Sequence, residues 1–184
     1  DRECALLSLV SDGTKTVVYV NSREQAQALT RMLRHRIPEL GHKIAFYHAG
    51  LTPQIRKNVE RAFRRGDVCC IMATSAFGEG VNISDIRQVI LYHLPFGRVA
   101  FNQMSGRAGR DGKPSVIQML FDAHDMRVNE RILSSHAPQR EALVAVYRAL
   151  TALQPKLGAA SDGSALTDED IAQMALEIDP RSKA

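Results

Sequence analysis

Apolar residues follow two alternating patterns along roughly the first two thirds of the chain. Short runs rich in apolar and β-branched residues are bounded by polar residues, which is typical of buried strands in a parallel sheet. We predict five such strands, at 16–20, 43–47, 67–73, 88–92 and 115–121. Between them, apolar residues recur at helical spacing, as Ala26, Leu29 and Leu33 do. Strands that alternate with helices in this way predict an α/β fold, a parallel sheet flanked by helices with right-handed crossovers.

Residues with capping chemistry indicate where these helices begin. Asn21 and Ser22 precede the second helix, and Thr52 followed by Pro53 opens the third. A further helix is predicted at 98–105. Because ligands of parallel sheets gather at the carboxyl ends of the strands, we expect the polar segments after the first four strands to form a site.

The pattern changes after residue 121, where helices follow without further strands. We predict a main domain at 1–136, a helical extension at 137–153 and a Pro/Gly/Ala/Ser-containing linker at 154–164. The segment 165–184 is then the start of a further small domain, for which a winged helix is one form. A terminal helix packed on the main core is the alternative.

Composition adds little about partners by itself, since the net charge is only +4. Arginines are concentrated in the first 65 residues, which is compatible with a nucleic-acid footprint and equally with solvated helix faces. The three cysteines, Cys4, Cys69 and Cys70, have no spacing that suits a metal, so we predict no metal site and free thiols in a reducing compartment. No apolar run reaches the ~18 residues of a membrane span. A cytoplasmic protein without a membrane partner is therefore expected.

The segment from Gln103 to Gly112 contains two arginines, Arg107 and Arg110, each preceded by glycine. Guanidinium groups match phosphate oxygens, and glycines let a polyanion approach the backbone closely. A basic turn that pairs with surface carboxylates is the alternative interpretation.

Three other segments follow predicted strands and offer phosphate-binding chemistry. Thr74 and Ser75 provide hydroxyl groups ahead of a glycine-rich stretch, although an ordinary β–α turn has the same composition. The other two segments are 19–23, which leads into a helix N-terminus, and 47–51, which contains His48. Helix N-termini favour phosphate oxygens, and a plain N-cap is fully compatible with that role.

In their order and composition, these four segments resemble motif IV, the Tyr-His-Ala-Gly-Leu segment, motif V and motif VI of superfamily 2 helicases of the RecQ branch. The resemblance implies the second RecA-like domain, with a P-loop NTPase-type parallel sheet, of an ATP-dependent DNA helicase that acts in DNA repair and recombination. It implies that ATP lies in a cleft between two RecA-like domains and that Arg107 and Arg110 are arginine fingers for this ATP. Gln103 is then expected to couple events within that cleft. Gly80 and Asn82 are then expected near the nucleotide. The implied contacts to single-stranded DNA are Asn21, Ser22, Arg23, His48, Thr74 and Ser75.

The sequence contains no phosphate-binding loop, because Gly112–Lys113 is followed by proline, and no strand that ends in an Asp-Glu pair. We therefore expect ATP and Mg²⁺ to be held mainly by an N-terminal RecA-like domain of the same protein, so that the isolated chain is inactive. The resemblance implies single-stranded or partial duplex DNA as the partner and 3′ to 5′ movement. The cysteine-based zinc module of many RecQ proteins is absent from the sequence.

Two alternatives remain open at this point. One is half of an RNA helicase, although DEAD-box proteins usually carry His-Arg where Gln103–Met104 stands. The other is a non-catalytic nucleic-acid-binding module on a degenerate helicase fold, which the intact Arg107 and Arg110 do not favour.

Overall fold

The computed structural model describes residues 1–78, 81–136 and 140–159, together with the single positions Gln173 and Leu176. Its centre is a five-stranded sheet in the order β2-β3-β1-β4-β5, in which every neighbouring pair is parallel. The strands are β1 (Thr16–Tyr19), β2 (Ile44–Tyr47), β3 (Cys70–Ala73), β4 (Gln88–Leu91) and β5 (Val116–Met119). The predicted parallel α/β fold is confirmed, with strands shorter than their apolar runs.

Three helices connect β1 to β2, β2 to β3 and β4 to β5, as predicted, and a fourth precedes β1. They are α1 (Arg2–Val10), α2 (Arg23–Arg36), α3 (Pro53–Arg65) and α4 (Arg98–Ser105), with a short 3-10 turn at Gly41–Lys43. The Ser22 hydroxyl accepts a hydrogen bond from the Gln25 amide at the start of α2, and Thr52 caps α3 in the same way. Gly66 ends α3 with φ of 87°, a left-handed conformation that suits glycine.

The two faces of the sheet build separate cores. Val18 points to the face covered by α1 and α2, where it packs with Leu33. Val17 points to the opposite face and packs with Phe63 of α3. Burying an apolar side chain of this size contributes about 1.5–3 kcal/mol, so the alternation along four-residue strands holds both helical layers in place.

β5 lies at one end of the sheet and is far less buried than the inner strands. Val116, Ile117 and Met119 are all exposed apolar side chains. Val116 and Leu120 donate backbone hydrogen bonds to Arg87 and Leu91, beside β4. Because successive residues of a strand face opposite ways, the amides of Ile117 and Met119 point away from β4.

Two compact units divide the chain at residues 130 and 131, rather than at the predicted boundary of 136. α5 (Ala123–His136) therefore crosses the division, and α6 (Arg140–Ala159) belongs to the second unit. Within α6, Ala145 and Ala149 are buried, with Val146 packed against them. None of the helices in the described ranges is long and apolar enough to cross a membrane.

The predicted linker is wrong for residues 154–159, because α6 continues through them. Pro155 removes one backbone donor, but leucine, glutamine, lysine and alanine around it are good helix formers. The rest of the predicted linker and the segment 165–184 lie outside the described residues, apart from Gln173 and Leu176, which are helical and exposed.

Candidate nucleotide and nucleic-acid interface

The carboxyl ends of β1, β2, β3 and β4 lie level with one another. Tyr19 of β1 is paired with Ala73 of β3 and with Leu91 of β4, and Tyr47 of β2 is also paired with Ala73. The segments that follow these strands therefore leave the sheet at one edge. The sequence analysis predicted the ligand site at this edge.

The first of these segments leads into α2. Asn21 and Arg23 are exposed, whereas the Ser22 hydroxyl is used by the Gln25 amide at 3.1 Å. Ser22 is thus an N-cap, and the other free amides of the first turn remain available to an anion. The same residue fixes the helix and leaves its positive end at the sheet edge.

His48 is not on the surface. Its side chain is only 5% exposed, it stacks on Phe46 with ring centroids 5.5 Å apart, and its Nε2 lies 3.1 Å from Gln27 Nε2. Its Nδ1 is buried and has no hydrogen-bond partner among the described residues. The ring of His48 therefore presents no exposed edge for a direct contact with DNA. This differs from the DNA-facing side chain that the sequence led us to expect.

Gly50 explains how His48 and Arg23 come together. A Cβ atom at Gly50 would lie 3.1 Å from Arg23 Nη1 and 3.2 Å from His48 Nδ1. The absence of a side chain lets the guanidinium and the imidazole flank the same turn. Sequence reasoning missed this role of Gly50, and only its place in the Tyr-His-Ala-Gly-Leu segment hinted at it.

The segment after β3 forms a compact turn. The Thr74 amide donates to the Tyr47 carbonyl at 3.1 Å, and the Phe77 amide donates to the Thr74 carbonyl at 3.0 Å. Ser75 is exposed at this turn, while Thr74 is half-buried. Gly80 lies outside the described residues. Asn82 is exposed, and its carbonyl accepts a hydrogen bond from Arg64 at 3.4 Å.

Arg107 lies against the backbone of this turn. Gly78 has φ of 132°, and a Cβ atom there would be only 2.8 Å from Arg107 Cζ. Arg107 Nη1 also donates to the Val81 carbonyl at 3.3 Å. The guanidinium thus occupies the space that a side chain at position 78 would need. Arg107 thereby joins the segment after β3 to the segment after α4.

Arg110 and Gln103 are exposed, in contrast to the half-buried Arg107. Arg110 Nε donates to the Gly106 carbonyl at 2.9 Å, one turn earlier in the chain. That bond uses one of the five guanidinium donors and leaves the outer fork free for a phosphate. Gly109 turns the chain between the two arginines with φ of 59°, where a Cβ would lie 2.6 Å from Ser115 Oγ.

Tyr19 connects β1 to the arginines. Its hydroxyl donates to the Phe77 carbonyl at 3.0 Å, and its ring is buried. Burial raises the pKa of Tyr19 to about 12, although the positive charges of Arg107 and Arg110 oppose the shift. Tyr19 therefore remains a neutral donor near both arginines.

Asp111 serves a structural purpose in the arginine segment. Its carboxylate pairs with Arg87 Nη2 at 2.6 Å, and its amide donates to the Ser84 carbonyl. The hydrogen bond from Arg87 lowers the pKa of Asp111. Arg87 also donates to the Pro114 carbonyl, so it holds the chain on both sides of Gly112 and Lys113. Nothing in the spacing of the sequence predicted this pair.

A polar cluster surrounds the ring of His93, beside the first turn of α2. Arg2 Nη1 donates to His93 Nδ1 at 2.9 Å, and His93 Nε2 donates to Gln25 Oε1 at 2.6 Å. Arg2 also pairs with the buried carboxylate of Asp125 at 3.0 Å. Burial lowers the pKa of His93, which fits a neutral ring that accepts at Nδ1. Sequence reasoning missed this cluster because its members come from four distant parts of the chain.

Residues 2–112 match the helicase conserved C-terminal domain family, and so contain the whole strand-end edge and both arginines. The chain belongs to this family. Among curated proteins, it is similar to the ATP-dependent DNA helicase RecQ of Pasteurella multocida, with 35% identity over 70% of this chain and 20% of the relative. It is also 37% identical to the probable ATP-dependent DNA helicase RecS of Bacillus subtilis, over 73% of this chain and 26% of the relative. The chain therefore contains a helicase C-terminal domain that is similar in sequence to RecQ-type DNA helicases.

Solved structures share the fold of this helicase domain. The DUF1998 helicase MrfA bound to DNA and AMPPNP matches with a TM-score of 0.62 and 22% identity, over 71% of this chain and 19% of that chain. A DEAD box protein from Methanococcus jannaschii matches with a TM-score of 0.58 and 27% identity, over 72% of this chain and 37% of that chain. The chain spans about a fifth to a quarter of the curated relatives named above.

Proposed function

We propose that this helicase domain is the C-terminal motor half of an ATP-dependent DNA helicase. In this proposal, ATP lies in a cleft between the domain and an N-terminal RecA-like domain of the same protein, and the domain supplies arginine fingers together with part of the single-stranded DNA track. The observation that carries the proposal is the contrast between the two arginines. Arg107 is braced on Gly78, while Arg110 is exposed beside it in the same segment.

The two arginines have different parts in this mechanism. Arg110 reaches the γ-phosphate, where negative charge accumulates during phosphoryl transfer, because its outer fork is free. Arg107 contacts the nucleotide from a half-buried position and holds the segment after β3 at a fixed distance from Arg110. Gln103, which is exposed on α4, couples the cleft to the domain. Gly80 and Asn82 are the residues that we expect near the nucleotide.

The DNA track follows the strand-end edge. Asn21, Arg23 and Ser75 are exposed there, and the N-terminus of α2 offers free amides to phosphate oxygens. Ser22 and Thr74 act through the backbone turns that they cap or begin. His48 acts indirectly, by holding the turn around Gly50 against α2.

The remaining parts of the reaction belong to the N-terminal domain. It holds the ATP phosphates and Mg²⁺, because this sequence has no phosphate-binding loop. The curated relatives are named as DNA helicases, which favours DNA over RNA as the substrate. Movement in the 3′ to 5′ direction is the polarity that we propose.

Substitution of Arg110 in the complete enzyme tests this function. Arg110→Ala is expected to lower ATP turnover by about 10³- to 10⁵-fold, the contribution of an arginine that reaches the transferred phosphoryl group. Arg110→Lys is expected to restore little, because a point charge does not reproduce the bidentate fork. Turnover, single-stranded DNA affinity and melting temperature are measured for each variant.

Arg61→Ala is the matched control, since Arg61 is an exposed arginine on α3 outside the proposed site. It should retain normal turnover. A folded Arg110→Ala enzyme with near-normal turnover would exclude the arginine-finger role. A drop in melting temperature that accounts for the lost turnover would make Arg110 a structural residue instead.

A further inference from the structure

An apolar cavity lies at the carboxyl end of β4, beside the proposed DNA track. Its volume is about 440 Å³. The lining residues are Leu94, Pro95, Gly97, Arg98, Phe101, Asn102 and Met119. They come from the loop after β4, the first two turns of α4 and the edge strand β5. Phe96, in the same loop, is 44% exposed.

Positive charge lies at the rim of this cavity. Arg98 is the first residue of α4, and the N-cap Gly97 makes no side-chain hydrogen bond to the helix. The amides of the first turn therefore have no acceptor within the helix, and they add the positive end of its dipole to the Arg98 charge. The site combines an apolar interior with an anion-binding edge.

Asn129 links the cavity to the proposed DNA track. Its side-chain amide donates to the Leu94 carbonyl at 2.8 Å, in the wall of the cavity. Asn129 also lines a neighbouring cavity of about 340 Å³ that includes Asn21 and Ser22. A strand of DNA that contacts Asn21 would therefore pass next to the apolar cavity.

We propose that this cavity receives a nucleobase of the bound single strand. The faces of a nucleobase are flat and apolar, so they suit the side chains of Leu94, Phe101 and Met119. The phosphate of the same nucleotide is an anion and suits Arg98. Phe96 provides an exposed ring at the entrance on which a neighbouring base stacks. The inference rests on the proposed function, since it adds a base contact to the phosphate contacts of the same track.

The test compares two oligonucleotides that carry the same phosphates, a dT 12-mer and its abasic equivalent, on the complete protein. Stacking of one base should make the dT strand bind about 5- to 100-fold more tightly than the abasic strand. Asn102→Met places a long apolar side chain in the cavity without disturbing helix propensity. It should remove most of this difference while leaving the abasic affinity unchanged.

Asn58→Met is the matched control, because Asn58 is an exposed helical asparagine on α3, away from the cavity. Phe96→Ala should reduce the difference between the two strands as well, whereas Ile55→Ala, at another exposed apolar residue, should not. Photocrosslinking of an oligonucleotide with one 4-thiothymidine should label the peptide that contains residues 94–102.

The outcomes separate the two proposals. Equal, salt-sensitive binding of the dT and abasic strands would overturn the base site and leave the proposed phosphate track standing. A difference that persists in Asn102→Met would place base recognition elsewhere and also overturn the inference. Failure of both oligonucleotides to bind would overturn the DNA track itself, and the base site with it.

Discussion

Arg107 and Gly78 form the contact on which the geometry of the arginine segment depends most closely. The guanidinium occupies the volume that a Cβ at Gly78 would need, and its hydrogen bond to Val81 adds a second restraint on the same loop. The atoms that a side chain at Gly78 would meet first are those of the Arg107 guanidinium. Gly78 therefore determines where the Arg107 guanidinium lies.

Gly78→Ala is predicted to lower ATP turnover of the complete enzyme by at least about tenfold and to lower its melting temperature. The added methyl group displaces the guanidinium, and a misplacement of about 1 Å is sufficient for a large loss in rate. Backbone strain at positive φ costs about 1–3 kcal/mol. Steady-state ATP hydrolysis and thermal melting measure the two effects separately.

Gly66→Ala controls for the strain alone, because Gly66 also has positive φ, but a Cβ atom there would meet no other atom within 4 Å. It should lower the melting temperature without a matching loss of turnover. If the two alanine variants lose turnover equally, the contact with Arg107 has no special importance.

At the scale of elements, the N-terminus of α2 joins the sheet edge to the polar cluster around His93. Ser22 caps the helix, and Gln25, one turn later, accepts the hydrogen bond from His93. Arg2 of α1 and Asp125 of α5 surround the same ring. One neutral histidine therefore contacts side chains from three helices beside the strand-end edge.

The protein is predicted to become less stable as the pH falls from about 7.5 to about 5.5. Burial lowers the pKa of His93 in the folded state, so the unfolded chain takes up a proton below its ordinary pKa of about 6.5 while the folded protein resists it. The contribution of a neutral His93 is present above pH 6.5 and is lost below it. Melting temperatures across this range measure the effect.

His93→Gln should flatten this pH dependence, since glutamine does not titrate. His35→Gln, at an exposed histidine of α2, should leave the profile of the wild type unchanged. A His93→Gln protein with the full pH dependence would assign it to other groups.

The periodicity of apolar residues was sufficient to predict the helices and strands, but it did not predict the contacts between them. The helix at 98–105 and the Thr52–Pro53 start of α3 agree with the sequence because their signals are local. The pair Arg87–Asp111 spans 24 residues, and the burial of His48 depends on Phe46 and Gln27. No local pattern encodes such tertiary neighbours. For the same reason, a proline at 155 predicted a helix end that its good helix-forming neighbours override.

At the scale of the whole molecule, the proposed mechanism gives this domain one side of a site that two domains share. The arginines, the segment after β3 and the N-terminus of α2 all lie on the first compact unit, residues 1–130. The chemistry that holds the ATP phosphates and a metal is absent from the sequence. The described residues contain no group of acidic, histidine or cysteine side chains arranged for a metal ion. Catalysis should therefore require a second domain.

The 184-residue chain is predicted to show no Mg²⁺-dependent ATP turnover by itself. Arginine fingers stabilise charge on a phosphoryl group that another site must already hold in line with water. The measurement is phosphate release by the purified chain, alone and after addition of the N-terminal domain. Turnover by the isolated chain at the rate of the complete enzyme would contradict a shared site.

The edge strand β5 has a further consequence for how the domain behaves in solution. Outward-facing amides at Ile117 and Met119, flanked by exposed apolar side chains, are a template for pairing with a strand from another molecule. Lys113 and Pro114, just before the strand, oppose such pairing at only one end. The domain therefore carries an intrinsic tendency to self-associate along this edge, and its colloidal stability depends on whatever shields β5.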